Sequence, residues 1–186
     1  TNKGGKLIAL KTATGEEAWQ TTRASKISWA SPVLAQVDGK YQIILTADPI
    51  VAGYDVQTGK ELWQVKGMMG EVGPSVGFSD GIVVAANEYA KMVAIDVKTK
   101  EILWENDEYL PEASSILAYN GLVIVATSYG VMACYDLKSG DMYWEHDVGK
   151  TLYSSPMFAD GKLYMMDNDG VMRIYEFDKE KKLISE

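Results

Sequence analysis

An eleven-residue segment that recurs along the chain restricts its fold more than any bulk property does. Gly53 to Trp63 reads GYDVQTGKELW, and the same register is kept by Ala9 to Trp19 (ALKTATGEEAW), Ala94 to Trp104 (AIDVKTKEILW) and Cys134 to Trp144 (CYDLKSGDMYW). A small residue leads, a polar one takes the third place (Lys11, Asp55, Asp96, Asp136), Thr14, Thr58, Thr99 or Ser139 follows, and Trp19, Trp63, Trp104 or Trp144 closes. Apolar residues alternate on both arms, and Gly15, Gly59 and Gly140 stand where a tight reversal needs positive φ. Each segment therefore predicts a β-hairpin ending in an indole. Trp19 to Trp63 is 44 residues, Trp63 to Trp104 is 41 and Trp104 to Trp144 is 40. A period of that size belongs to repeat architectures and outranks any residue-by-residue assignment.

Between the hairpins a second pattern repeats. Ser31-Pro32-Val33 leads to Asp38-Gly39 and an apolar run, Pro74-Ser75-Val76 to Asp80-Gly81, Ser114-Ser115-Ile116 to Asn120-Gly121, and Ser154-Ser155-Pro156 to Asp160-Gly161. An Asx-Gly pair between apolar runs is a strong short-range hairpin signal. Two strands at the start and four in each later unit predict 18 strands, and four-stranded antiparallel sheets at this pitch make a β-propeller. The expected fold is all-β, a single array of about four and a half blades. Its parts are a half blade over 1–22, full blades over 27–66, 72–106 and 113–147, and a last, degenerate blade over 153–186. A β-sandwich would not hold a Trp in fixed register, and the Trp-Asp pairs of WD propellers are missing. The last unit contains its own third strand, so it does not complete the opening half blade. An incomplete ring is expected, the C-terminal part of a larger propeller or one completed by a second copy, because exposed sheet faces and strand edges invite association.

Charge narrows the partners. The formal net charge of -8 disfavours a nucleic-acid backbone or an anionic membrane surface. No apolar run approaches the roughly 18 to 20 residues of a membrane-spanning helix, so no membrane insertion is expected. The sequence lacks an initiator Met and a signal-peptide pattern and is expected to begin inside a longer protein. The single cysteine, Cys134, excludes an internal disulfide and leaves the redox compartment open. His146 is the only histidine, which makes a metal site on it a poor reading, and nucleotide-binding and nucleophile-elbow motifs are absent. Asp55, Asp96 and Asp136 fall in different blades and are read as binding turn amides rather than forming a catalytic array.

The A-x-D-x-x-T-G-x-x-x-W pattern, with Ser154-Ser155-Pro156 and Asp160-Gly161-Lys162 before its last copy, resembles the tryptophan-docking motif of the quinoprotein-type (PQQ-like) β-propeller repeats. The departures are Lys11 for Asp, Gly53 and Cys134 for the leading Ala, Lys100 for Gly, and a last copy, Ile174 to Ile184, without Thr, Gly and Trp. The resemblance implies an indole packed between adjacent blades. It also implies one of two roles: a non-catalytic scaffold of the cell envelope, such as the propeller lipoprotein of the outer-membrane barrel-assembly machinery, or a quinone-dependent alcohol or sugar dehydrogenase using PQQ and calcium. Such dehydrogenases carry a vicinal Cys-Cys pair, and Cys134 is alone, so the scaffold reading is preferred, with no cofactor and no catalytic residue expected. By the same resemblance a periplasmic or cell-envelope location is expected.

A scaffold binds through loops that do not repeat. Loops entering the inner strands carry Trp29, Glu71, Glu108, Glu112 and Tyr153, and loops between second and third strands carry Asp48, Asn87, Glu88, Tyr89, Tyr129, Asn168 and Asp169. The two sets are expected to share one acidic, aromatic face that binds a protein segment or polar ligand.

Overall fold

The computed structural model describes residues 4–25 and 28–186. Residues 1–3, in the expected half blade, and Ile27, where the first full blade is expected to open, lie outside the described residues. The opening hairpin pairs β1 (Lys6–Leu10) with β2 (Glu17–Thr22). A first blade follows of β3 (Val33–Val37), β4 (Lys40–Ala47), β5 (Ile50–Asp55) and β6 (Glu61–Lys66). The second has β7 (Gly77–Ser79), β8 (Ile82–Ala86), β9 (Met92–Asp96) and β10 (Ile102–Asn106). The third has β11 (Leu117–Tyr119), β12 (Leu122–Ala126), β13 (Val131–Asp136) and β14 (Met142–Asp147). The fourth has β15 (Met157–Ala159), β16 (Lys162–Met166), β17 (Met172–Glu176) and β18 (Leu183–Ser185). Every blade is a four-stranded sheet whose neighbours follow chain order.

The Asx-Gly pairs turn β3 into β4 and its counterparts. Asp38, Asp80, Asn120 and Asp160 have φ of 48°, 51°, 47° and 47°, and the glycine after each is also left-handed. That is the type I′ geometry whose twist matches the strands it joins. The middle strands β8 and β12 are buried at every residue, because the second and third blades have a neighbour on both faces; they read as unbroken apolar runs instead of alternating. Four apolar clusters fill the seams. Leu7, Leu45 and Tyr54 lie between the half blade and the first blade, Ile44, Val83 and Ile95 in the next seam, Val84, Val123 and Tyr135 in the third, and Ile124, Leu163 and Tyr175 in the last. The arc does not close: Ile8 and Leu10 on the half blade and Met157, Met166 and Met172 on the fourth blade remain exposed.

The indoles join blades in two ways. A methyl on Gly59 would come within 2.3 Å of Trp19 Cε3, and one on Gly140 within 2.6 Å of Trp104 Cδ2, so each ring lies on the turn glycine of the following blade. Trp19 Nε1 donates to the Val56 carbonyl at 3.2 Å and Trp104 Nε1 to the Leu137 carbonyl at 2.9 Å. Trp144 Nε1 likewise reaches the Asp178 carbonyl at 3.1 Å. The seam between the first and second blades departs from this. Lys100 stands in the glycine place at φ 67°, and its ammonium bonds the Val97 carbonyl, the acceptor equivalent to those of Val56 and Leu137. Trp63 instead turns over Gly53, where a methyl would come within 2.2 Å of its Nε1, and donates to Gln42 Oε1 of its own blade at 2.8 Å. Trp63 still packs in the buried cluster between the two blades, but its hydrogen bond stays within its own blade, unlike those of its counterparts. The last copy is corrected too. Ile174 pairs with Ser185, not Ile184, because the turn carries one more residue: Glu176 N–H bonds the Lys182 carbonyl where Asp55 N–H bonds that of Lys60.

Candidate binding face

The loops between second and third strands bond the loops that enter their own blade or the next one. The Pro49 carbonyl accepts from Gly67 and Met68 N–H at 3.1 and 3.3 Å, Leu152 N–H donates to the Thr127 carbonyl at 3.3 Å, and Asn168 N–H to that of Thr151 at 3.0 Å. Asn87 Nδ2 donates to the Met69 carbonyl at 2.7 Å. These bonds bring both loop sets to one end of the blades. At the start of the inner strands, a relay circles the arc: Ser31 N–H donates to Ser75 Oγ at 2.8 Å, Ser75 N–H to Ser115 Oγ at 3.1 Å and Ser115 N–H to Ser155 Oγ at 3.0 Å. The bonding role of these serines went unread in the sequence, although their spacing follows the blade period.

Trp29, Glu71, Tyr89 and Glu112 come together, with Gly73 and Ala113, around an open depression of about 470 Å³. Trp29 is 71 % exposed and Tyr89 66 %. Trp29 N–H bonds the Val72 carbonyl at 2.9 Å, which ties this residue to the loop bearing Glu71. Tyr153, on the next blade, reaches Glu112 Oε2 at 3.4 Å. The Glu88 carboxylate is the largest influence raising the Tyr89 phenol above its usual value, followed by burial and then Glu112 and Glu71. Tyr129 is raised by burial and, to a lesser degree, by the same Glu88. Glu108 is exposed and its N–H bonds Asn106 Oδ1 at 2.6 Å.

Other candidates stand apart from the depression. Asn87 is buried and its amide is spent joining loops. Asp48 is half-buried in the turn before Pro49. Asn168 and Asp169 lie in the fourth blade, where Asp169 pairs with Lys150 at 2.7 Å. No sequence signal marks Tyr109, whose hydroxyl bonds the Glu145 carboxylate and is pushed up to about 12 by it.

The remaining ionisable groups serve the scaffold. Asp55 Oδ1 accepts from Gln57 and Thr58 N–H at 3.0 and 2.8 Å and from the Thr58 hydroxyl. Asp96 and Asp136 bind the equivalent amides. His146 Nδ1 lies 2.8 Å from the hydroxyl of buried Tyr175, and burial lowers its proton affinity. Cys134 faces Trp144 across β13 and β14 in full burial, which pushes its thiol up to about 12. A vicinal thiol pair is not formed by one cysteine, and no group of three or more His, Cys, Asp or Glu placed to hold a metal occurs among the described residues. The residues present do not fit the quinone and calcium set of the dehydrogenases.

An open arc of four-stranded blades, joined by indoles at a repeated place, defines a β-propeller of quinoprotein-type repeats. The chain belongs to the family of the outer membrane protein assembly factor BamB, whose pattern matches residues 47–109 and 108–183. It is 30% identical over 115 residues to the outer membrane protein assembly factor BamB of Burkholderia pseudomallei (strain K96243), a match covering 56% of this chain and 29% of that relative's length. BamB from Moraxella catarrhalis superposes with a TM-score of 0.63 at 18% identity, covering 98% of this chain and 70% of that one. The designed protein Ika8 gives 0.71 at 20% identity over 94% and 54% of the two chains. A europium-containing methanol dehydrogenase gives 0.69 at 14% identity over 91% and 43%. At such identities the structural likenesses describe the fold.

Proposed function

We propose that the chain is a non-catalytic, protein-binding scaffold of the cell envelope, working beside an outer-membrane assembly system as the name of its family describes. Its partner docks on the loop face. One observation supports this reading: Trp29, Tyr89, Tyr129 and Tyr153 stand exposed on loops that hydrogen bonds join at one end of the blades, and exposed aromatics on fixed loops are binding anchors. Family membership supports a protein partner and an envelope location. The exposed apolar ends of the arc favour a second element there, from the same protein or another copy.

The test replaces Glu88, Tyr89, Tyr129 and Asp169 together by Gln, Ala, Ala and Asn and compares capture of envelope proteins with that of the unchanged chain. Loss of the captured proteins at unaltered thermal stability is expected. Full retention by the variant would reject the loop-face assignment. The dehydrogenase reading rests on the fold shared with methanol dehydrogenase and is checked by adding PQQ with calcium and following dye-linked alcohol oxidation. No turnover is expected.

A further inference from the structure

We propose that the depression bounded by Trp29, Glu71, Tyr89 and Glu112 seats the guanidinium of an arginine in an extended basic segment of the partner protein; this rests on the binding-face reading above. The walls come from four loops on three successive blades. Two are exposed aromatic side chains and two are carboxylates. Glu71, Glu88 and Glu112 all act on the Tyr89 hydroxyl, so their negative charge converges on one spot. Among the described residues none of the three carboxylates lies within 4.0 Å of a cationic group. Lysines and arginines elsewhere on the chain do find carboxylates, as in Lys91 with Glu105 and Lys150 with Asp169.

Chemistry selects the ligand. A cation over the face of an indole or phenol is attracted by the ring quadrupole, and arginine makes this contact more often than lysine. The guanidinium is planar, weakly hydrated and carries several donors, so it can stack on a ring while it bonds two carboxylates. An anionic ligand would be repelled, and a purely apolar one would bury the glutamates unpaired. The backbone that carries the walls is held before the ligand arrives. The Trp29 backbone is bonded to Val72, and Gly73 lies so close to the Glu112 carbonyl that a methyl there would come within 2.6 Å of it. Binding then has side chains rather than loop backbone to order.

The test uses the full chain and an acetylated, amidated Gly-Arg-Gly-Arg-Gly peptide. Its control is the same peptide with citrulline, the uncharged isostere, in place of arginine. Amide and indole proton–nitrogen correlation spectra follow the titration. The Trp29 indole and the amides of Glu71, Tyr89 and Glu112 are expected to shift saturably with the arginine peptide and to respond about tenfold more weakly to citrulline or to added salt. The variant Glu71→Gln with Glu112→Gln, at an unchanged melting midpoint, is expected to lose about tenfold in affinity. Equal binding of the citrulline peptide, shifts confined to another surface, or full affinity in the double variant would overturn the proposal. If the four-residue loop variant loses its envelope partners while the arginine peptide leaves Trp29 unmoved, the cation assignment is wrong and the binding face stands. A saturable shift at Trp29 alongside full partner retention by that variant means that the depression takes a guanidinium but not the partner's, and the proposal falls with the binding-face reading.

Discussion

Asp55, Asp96 and Asp136 show how a single residue type sets the response of this fold to acid. Each carboxylate accepts amides of its own turn. The Thr58 hydroxyl is the largest cause for Asp55, and the backbone N–H of Thr99 or Ser139 for the others; these bonds hold all three carboxyls below the usual aspartate range. A folded value below the unfolded one means that the stabilisation is complete above the unfolded value of about 3.9 and is lost as pH falls through the folded one. The melting midpoint should therefore drop on acidification below about pH 4. In a variant with all three changed to Asn, that acid-side drop should be shallower, from a lower starting point at neutral pH. Superimposable acid limbs would show that other carboxylates govern it.

At the scale of the hairpin, two glycines separate backbone strain from blade docking. Gly39 has φ 77° and nothing within 4 Å of where a methyl would go, whereas Gly59 has φ 70° and a methyl there would strike Trp19. Gly39→Ala should cost only the left-handed penalty, roughly 1–2 kcal/mol. Gly59→Ala should add an overpacking cost of about 1–3 kcal/mol, read as the difference between their urea midpoints. The odd seam gives a sharper test. If Lys100 drives Trp63 over Gly53, then Lys100→Gly frees the Val97 carbonyl and the place where an indole lies in other seams. Gly53→Ala should then be less damaging in the Lys100→Gly background than alone, by about 1 kcal/mol in a double-mutant cycle. Strict additivity would mean that Lys100 and the Trp63 ring are independent. Trp63→Ala should cost roughly 3–5 kcal/mol, since the ring is buried in its seam whichever acceptor it uses.

Across the whole molecule, stability should follow the number of neighbours a blade has. Repeat arrays gain from intrinsic blade stability and from each seam. The first three blades have two seams each, and in the second and third β8, β9, β12 and β13 are buried along almost their whole length. The half blade and the fourth blade have one seam each, and β18 is exposed at all three residues. Amide hydrogen exchange should be slowest in those four middle strands and fastest in β1, β2 and β18. Uniform protection would indicate that the arc opens only as one unit.

Neighbours in the chain make the part of this structure that can be read from its letters. Hairpin turns, left-handed Asx-Gly pairs and the aspartate that binds its own turn involve residues two to four apart, and a 40-residue period repeats them often enough to identify blades. Side chains that meet across a seam follow another rule. Trp63 keeps the motif letter of Trp19 and Trp104, yet its ring bonds Gln42 of its own blade while Lys100 of the next blade holds the equivalent acceptor. Tyr54 meets Arg23 and Tyr175 meets His146 across seams, and no local pattern announces either pair. The binding face divides in the same way. Its candidates are proposed from two sets of loops in the sequence, but only packing between blades gathers Trp29, Glu71, Tyr89 and Glu112 around one depression and spends Asn87 on holding loops together. The physical reason is that a backbone conformation is selected by a few adjacent residues, whereas a cavity is defined by the relative position of strands joined only through their side chains.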